Sequence, residues 1–355
     1  MKRILNTTIL LFLLSSLPSK AQDSTNVYNF DFHKVKPIVQ IFGTASYNFD
    51  ENKYEYSFSR AHIGFQYQFN AKWNAKIILD RGRSTSVGKI TVSDSAGNKF
   101  NIENTSKEGS YYTMWLKFAS LQWKVNDKLT LEGGAILQNH YITMERFWGL
   151  RYVAQTFQDL YWHIPSSDLG FIAYYKFNKF FSVDAAITNG EGSRVKQDSF
   201  GKVKIAGGID INPSQKIQTR IFYHNKQSGI NNSAAEQLLS AFIGYKPTDK
   251  SRIGSEFNYM KNLDNTDGLK SYGFSLYTAY HITRKTELFT RFDRLLYNIT
   301  ENTNGNIMGD GNTLMGGLSF APVKGVKLSM NYQGWLPDDN VKPQNRILFN
   351  MEYKF

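Results

Sequence analysis

The chain has 355 residues, no cysteine, eight prolines and a formal charge of +12. Without cysteine there is no disulfide framework, thiol nucleophile, cysteine-bound metal or lipid-anchored N-terminal cysteine. Aromatics make up 15% of the residues, mainly 26 Phe and 21 Tyr, yet mean hydropathy is negative, and past the N-terminus no stretch approaches the roughly 20 apolar residues of a spanning helix.

The N-terminus reads as an export signal. Lys2 and Arg3 precede a short, mostly apolar run over 4–17, and Ser19-Lys20-Ala21 is a small-x-small cleavage site, so the mature chain is expected to begin at Gln22. Lys2, Arg3 and Lys20 leave with the signal and no acid does, which lowers the charge from +12 to +9. Residues 22–36 read as a short lead-in. An exported chain has no route to cytoplasmic nucleic acid.

From there the dominant period is two. Val39, Ile41, Gly43, Ala45 and Tyr47 alternate with Gln40, Phe42, Thr44 and Ser46, and Ala61, Ile63, Phe65, Tyr67 and Phe69 with His62, Gly64, Gln66 and Gln68. Val203 to Ile211 and Val326 to Tyr332 repeat the pattern. Sixteen such segments are predicted, at 37–49, 54–70, 72–82, 111–125, 128–138, 168–177, 180–190, 201–212, 215–226, 236–246, 250–261, 270–282, 285–297, 313–321, 325–336 and 345–355. Seven alternate gaps are very short and hold turn residues such as Asn70-Ala71, Asn126-Asp127 and Asn178-Lys179. Most of the others are long, as near 83–110, 139–167 and 298–312. Short turns at one end and long loops at the other predict an all-β fold, a 16-stranded antiparallel transmembrane β-barrel over 37–355 with periplasmic turns. Closure removes the last edge, because an unpaired backbone N–H or C=O in hydrocarbon costs several kcal/mol.

With the apolar set facing lipid, Arg60, His62, Lys76, Asp80, Lys117, Glu132, Lys176, Asp184, Lys204, Arg220, Arg252, Glu256, Arg291, Asp293 and Arg346 face the lumen. So many inward charges predict a wet interior. The 139–167 gap stands apart from the other loops: Tyr141, Phe147, Trp148, Tyr152, Phe157, Tyr161 and Trp162 give it an apolar content that a solvated loop does not need, and a helix-like run covers 150–160.

Two stretches resemble known proteins. The ending "LFNMEYKF", with Phe349, Met351, Tyr353 and Phe355 at alternate places, resembles the C-terminal strand of bacterial outer-membrane proteins, which implies recognition by the barrel assembly machinery. "ERFWGLRYVAQTFQDLYWHIPSSDLGFIAYYKF" resembles porins of the Bacteroidota type, in the broad family of the phosphate-selective porins O and P. Like the third loop of sixteen-stranded porins, 139–167 is then expected to fold inward as a constriction. Arg146 and Arg151 would face Arg60, Arg220 and Arg291, with Glu145 and Asp159 balancing charge or tying the loop down. The resemblance also implies a homotrimer.

No GxSxG or HExxH occurs, and Asp264 to Gly268 puts Gly at the fifth place of a would-be calcium loop instead of the sixth, so no enzyme, metal or cofactor is expected. The expected function is passive diffusion of small hydrophilic solutes across the outer membrane of a Gram-negative bacterium, with mild anion preference. No ordered arginine ladder is present, which tells against phosphate specificity. A phosphate- or oxyanion-selective porin and a plugged structural or adhesive barrel are the alternatives. Expected surroundings are outer-membrane lipid and lipopolysaccharide.

Overall fold

The computed structural model describes residues 30–82, 89–94, 99–103, 113–195, 197, 201–228, 234–298, 309–338 and 342–355. The expected signal segment lies outside the described residues. Residues 30–34 belong to a separate unit and hold one 3-10 turn, Phe32–Lys34.

The strands are β1 (Val35–Asn48), β2 (Lys53–Gln68), β3 (Trp73–Arg81), β4 (Lys89–Ser93), β5 (Lys99–Glu103), β6 (Met114–Lys124), β7 (Leu129–Leu137), β8 (Ser167–Lys176), β9 (Phe181–Thr188), β10 (Lys204–Ile211), β11 (Ile217–Lys226), β12 (Glu236–Thr248), β13 (Ser251–Lys261), β14 (Lys270–His281), β15 (Thr286–Tyr297), β16 (Gly311–Phe320), β17 (Val326–Pro337) and β18 (Gln344–Lys354). All but β4 and β5 form one closed antiparallel barrel of sixteen strands. They coincide with the sixteen segments of period two. β4 and β5 pair only with each other, as a hairpin inside the long gap after β3, where no strand was expected. Closure is made by β18 against β1, from Gln40 opposite Lys354 to Asn48 opposite Arg346.

Side-chain direction follows the pleat. On β14, buried and exposed residues alternate without a break from Ser271 to Tyr280. The exposed set around the wall is apolar, including Ile221, Leu239, Phe257, Leu276, Leu288 and Phe349. Aromatic pairs mark both rims: Trp73 stacks on Trp123 with centroids 5.1 Å apart and Phe177 on Phe181 at 4.8 Å at the short-turn end, while Tyr47–Tyr54 and Tyr259–Tyr272 lie at the long-loop end.

Five of the seven short turns share one device. Asn70 Oδ1 accepts from the N–H groups of Lys72 and Trp73, Asn126 Oδ1 from those of Lys128 and Leu129, and Asn178 Oδ1 from those of Phe180 and Phe181. Ser214 and Thr283 hydroxyls do the same for their own second and third followers. Each side chain satisfies amides that the reversal would leave unpaired.

The register shifts at three places, one of them at the end of β12 between Tyr245 and Thr248 and the other two at bulges in β2 and β6. Gly43 opposes Phe58 and Phe42 opposes Arg60, so Ser59 is the extra residue on β2; Leu79 opposes Leu116 and Ile78 opposes Phe118, so Lys117 is the extra residue on β6. The apolar phase slips at both bulges. On β6 the slip turns Lys117 inward beside Phe118.

Candidate pore and its inward loop

The 138–166 connection lies inside the barrel. It carries two short helices, α1 (Ile142–Trp148) and α2 (Phe157–Tyr161). Of the helix-like run expected over 150–160, only 157–160 is helical, and the residues before it form a break between the two helices. Gly149 ends α1 at φ 70, a left-handed conformation natural to glycine, and Thr156 is extended at ψ 163 before α2.

Cationic and amide side chains of the wall hold the loop by its carbonyls. Arg220 donates to Asn139 O at 2.9 Å, Arg252 to Trp148 O at 2.8 and 3.1 Å, Lys327 to Gly149 O at 3.2 Å, Gln333 to Val153 O at 3.2 Å and Arg291 to Gln155 O at 2.5 Å. Loop side chains answer in kind. Thr143 donates to Asp210, Gln158 to Asn258, Trp162 Nε1 to Ser271 Oγ, and Tyr161 OH to Asp293 Oδ2 at 2.9 Å. Burial raises the Tyr161 phenol well above its usual pKa, so it remains a donor. Two wall glycines make room: a Cβ at Gly244 would lie 2.6 Å from the Phe147 ring, and one at Gly273 would run into Phe157. Trp148, Phe157, Leu150 and Met144 are thereby almost fully buried within the lumen.

The inward charges on this side do not line a wet interior as expected. The loop fills the lumen against β10–β17, and the two expected pore arginines there, Arg220 and Arg291, are matched by acids, whereas buried Glu256 has no ion pair among the described residues. Arg220 is bound by Asp184 at 2.7 Å and Asp210 at 2.6 Å, and Arg291 by Asp293 at 2.8 Å; both arginines are buried. Such ions are tolerated only when paired and hydrogen-bonded. The structure therefore uses Arg220 and Arg291 to seat the loop, apart from the other expected pore residues.

Those others gather on the opposite side, along β2, β3 and β6. A cavity of about 520 Å³ at the long-loop end is lined by Asp80, Arg81, Trp115, Lys117, Arg151 and Asp159, among others. A middle cavity of about 160 Å³ lies between Arg60, His62, Lys76 and Lys117 of the wall and Glu145 and Arg146 of α1. A third, of about 280 Å³, opens at the short-turn end around Arg146, Lys246, Lys250, Arg252, Glu287 and Lys327. Lys117 lines both the first and the second, and Arg146 both the second and the third.

Arg151 bridges Glu145 at 3.0 Å and Asp159 at 2.9 Å, so it ties α1 to α2 while facing the large cavity. Arg60 donates to Gln40 at 3.0 Å and sits 4.7 Å over the Phe42 ring. Arg146 is exposed and has no hydrogen bond or ion pair among the described residues. Lys117 is held 2.6 Å from Asp80. The slip in apolar phase on β6, from Met114 and Leu116 to Ala119 and Leu121, is the sequence signal that singles out Lys117. The lysines of the short-turn end carry no such signal, because they sit where strands end.

At the C-terminus, Phe349, Tyr353 and Phe355 are exposed on the outer wall, whereas Asn350 and Glu352 are buried inside. Met351 is half-buried beside Gly43 on the outer face.

Residues 160–295 match the family described as Putative beta-barrel porin-2, OmpL-like. No curated protein matches the sequence. Among solved structures, the chain is similar to OprB of Pseudomonas putida, with a TM-score of 0.65 and 10% identity over 91% of this chain and 94% of that one. It is similar to the outer membrane channel DcaP of Acinetobacter baumannii, at 0.62 and 13% over 90% and 97%, and to the trimer form of OmpT of Vibrio cholerae, at 0.56 and 11% over 90% and 99%. The fold is that of a sixteen-stranded porin barrel, and an apolar wall between two aromatic rims places it in the outer membrane of a Gram-negative bacterium.

Proposed function

We propose that the chain is a passive diffusion channel for small hydrophilic solutes, with a preference for anions and no catalytic step. The observation that carries this reading is the chain of three cavities beside the inward loop, joined through Lys117 and Arg146. Cationic side chains outnumber acidic ones along their described lining, eleven to six. A throat lined by one sign of charge between low-dielectric walls concentrates counter-ions. Arg146, Glu145 and Arg60 set the field at the narrow middle and Arg151 that of the large cavity beside it, while Arg220 and Arg291 act only by holding the loop.

The finer placement, among porins of the Bacteroidota type and the phosphate-selective kind, rests on the 145–177 stretch and the C-terminal strand alone. Residues 1–21 as a signal, 22–34 as a lead-in and a barrel from Val35 complete the organisation we propose. The trimer form in which OmpT was solved supports a homotrimer here. Lipopolysaccharide around the long loops, and barrel assembly machinery reading Phe349, Met351, Tyr353 and Phe355, are the partners this reading requires.

The test is conductance of the purified protein in planar bilayers under a KCl gradient. The expected reversal potential is anion-favouring, with phosphate passing as one solute among others. Specific block by phosphate would favour the oxyanion-selective alternative. A cation-favouring potential overturns the reading, and absence of conductance would leave a plugged barrel.

A further inference from the structure

We propose that the short-turn mouth is a binding vestibule for small multivalent anions, entered from the periplasm. The inference rests on the channel reading but concerns one end of the barrel and a ligand held there. Three cations around this cavity of about 280 Å³ have no acidic partner among the described residues: Arg146 at the end of α1, Lys246 on β12 and Lys250 in the turn after it. Their neighbours are differently placed. Arg252 is spent on Trp148 O and Glu287, and Lys327 donates to Gly149 O with Glu352 at 3.9 Å. Glu287, one of the two carboxylates in the lining, is thereby taken by Arg252 and by His281 at 3.3 Å; Asp249 is the other.

The far end differs. The large cavity at the long-loop end has four cations against three acids among the described residues, and Asp80 and Asp159 there are bound to Lys117 and Arg151. Of the two mouths, the short-turn one carries the larger excess of positive charge, five cations against two acids. It is also held in place: the Lys246 ammonium lies 5.6 Å over the Phe147 ring, and Phe147 is locked by Gly244 beneath it. Ammonium groups are compact point charges without the planar fork of a guanidinium. A site made of two of them and one arginine selects by charge number more than by shape. An anion carrying two or three charges spans several of these cations, whereas a monovalent one meets them singly.

Single-channel recording with citrate in one chamber tests this. The chain has no cysteine, so a Lys179→Cys variant, labelled at its exposed turn by a membrane-impermeant thiol reagent, reports which way a channel faces. Citrate from the short-turn side is expected to block at a concentration several-fold below that needed from the long-loop side. Acetate should show no such difference, and high salt should abolish it as screening shortens. In Lys246→Gln/Lys250→Gln, whose altered side chains are exposed, the side difference should disappear; in Lys246→Glu/Lys250→Glu it should not return. Equal block from both sides, or a side difference that survives the double variant, overturns the proposal. Absence of conductance would instead overturn the channel reading. Calorimetric titration of citrate into the wild type and the double variant then decides the vestibule by itself: tighter binding to the wild type supports it, and equal or no binding overturns it.

Discussion

Arg291 and Asp293 stand two residues apart on the same inward face of β15, joined at 2.8 Å, and between them they grip both ends of the loop's second half. Arg291 reaches Gln155 O, and Asp293 accepts from Tyr161. Removing either partner leaves a buried unpaired charge. Arg291→Met and Asp293→Leu are each expected to cost on the order of 3–5 kcal/mol, and the double variant less than the sum. Urea unfolding in lipid vesicles, run as a double-mutant cycle, measures this.

Gly273 predicts a different failure. A side chain there meets the Phe157 ring, so Gly273→Leu should displace α2 at a cost of about 1–3 kcal/mol. The displaced loop should be cut faster by protease within 139–167, and single-channel conductance should rise. Unchanged proteolysis would show that Phe157 seats elsewhere.

Arg146 and Arg220 should behave oppositely. Arg146 is exposed and faces two cavities, whereas Arg220 is buried between Asp184 and Asp210. Arg146→Glu is expected to lower the chloride-to-potassium permeability ratio without a loss of thermal stability. Arg220→Met should lower stability and leave the loop loosened. Reversal potentials and melting curves of the pair separate the two roles.

His140 lies in the loop, outside the spanning strands, and is fully buried. Burial, with Lys204, His224 and Arg220 nearby, lowers its pKa well below the ordinary 6.5. Above that value it is neutral in both folded and unfolded chains. Below it the unfolded chain takes up a proton that the folded one refuses, so this group makes stability fall with pH, by up to about 1.4 kcal/mol per unit. His140→Phe should flatten the melting temperature between neutral and mildly acidic pH relative to the wild type.

The terminal residue allows a clean test of assembly. Val39 and Phe355 exchange backbone hydrogen bonds at 3.1 and 3.2 Å, so Phe355→Ala keeps the closure and removes only the ring. A fall in outer-membrane yield with unchanged in-vitro refolding would assign the ring to recognition during assembly.

The barrel was legible in the sequence because period-two alternation and paired turns are local. The inward direction of Arg220 and Arg291 was legible for the same reason. What they meet was not, since their partners Asn139 and Gln155 lie 81 and 136 residues away along the chain. The aromatic content of 139–167 signalled an unusual loop, and its inward course accounts for that content: the rings pack on a wall whose pits are Gly244 and Gly273. The helix-like pattern over 150–160 was right only from 157, because Gly149 ends the first helix and extended Thr156 precedes the second. The phase slips on β2 and β6 were visible in the letters, and they mark the two bulges beside the long-loop cavity.

The turns at the periplasmic rim have an evolutionary consequence. Five of them fold on a side chain that counts two and three residues forward. Gain or loss of one residue there would exchange the lipid and lumen faces of the strand that follows. Changes in chain length are therefore expected at the opposite rim, because the long loops there can grow or shrink without resetting the wall.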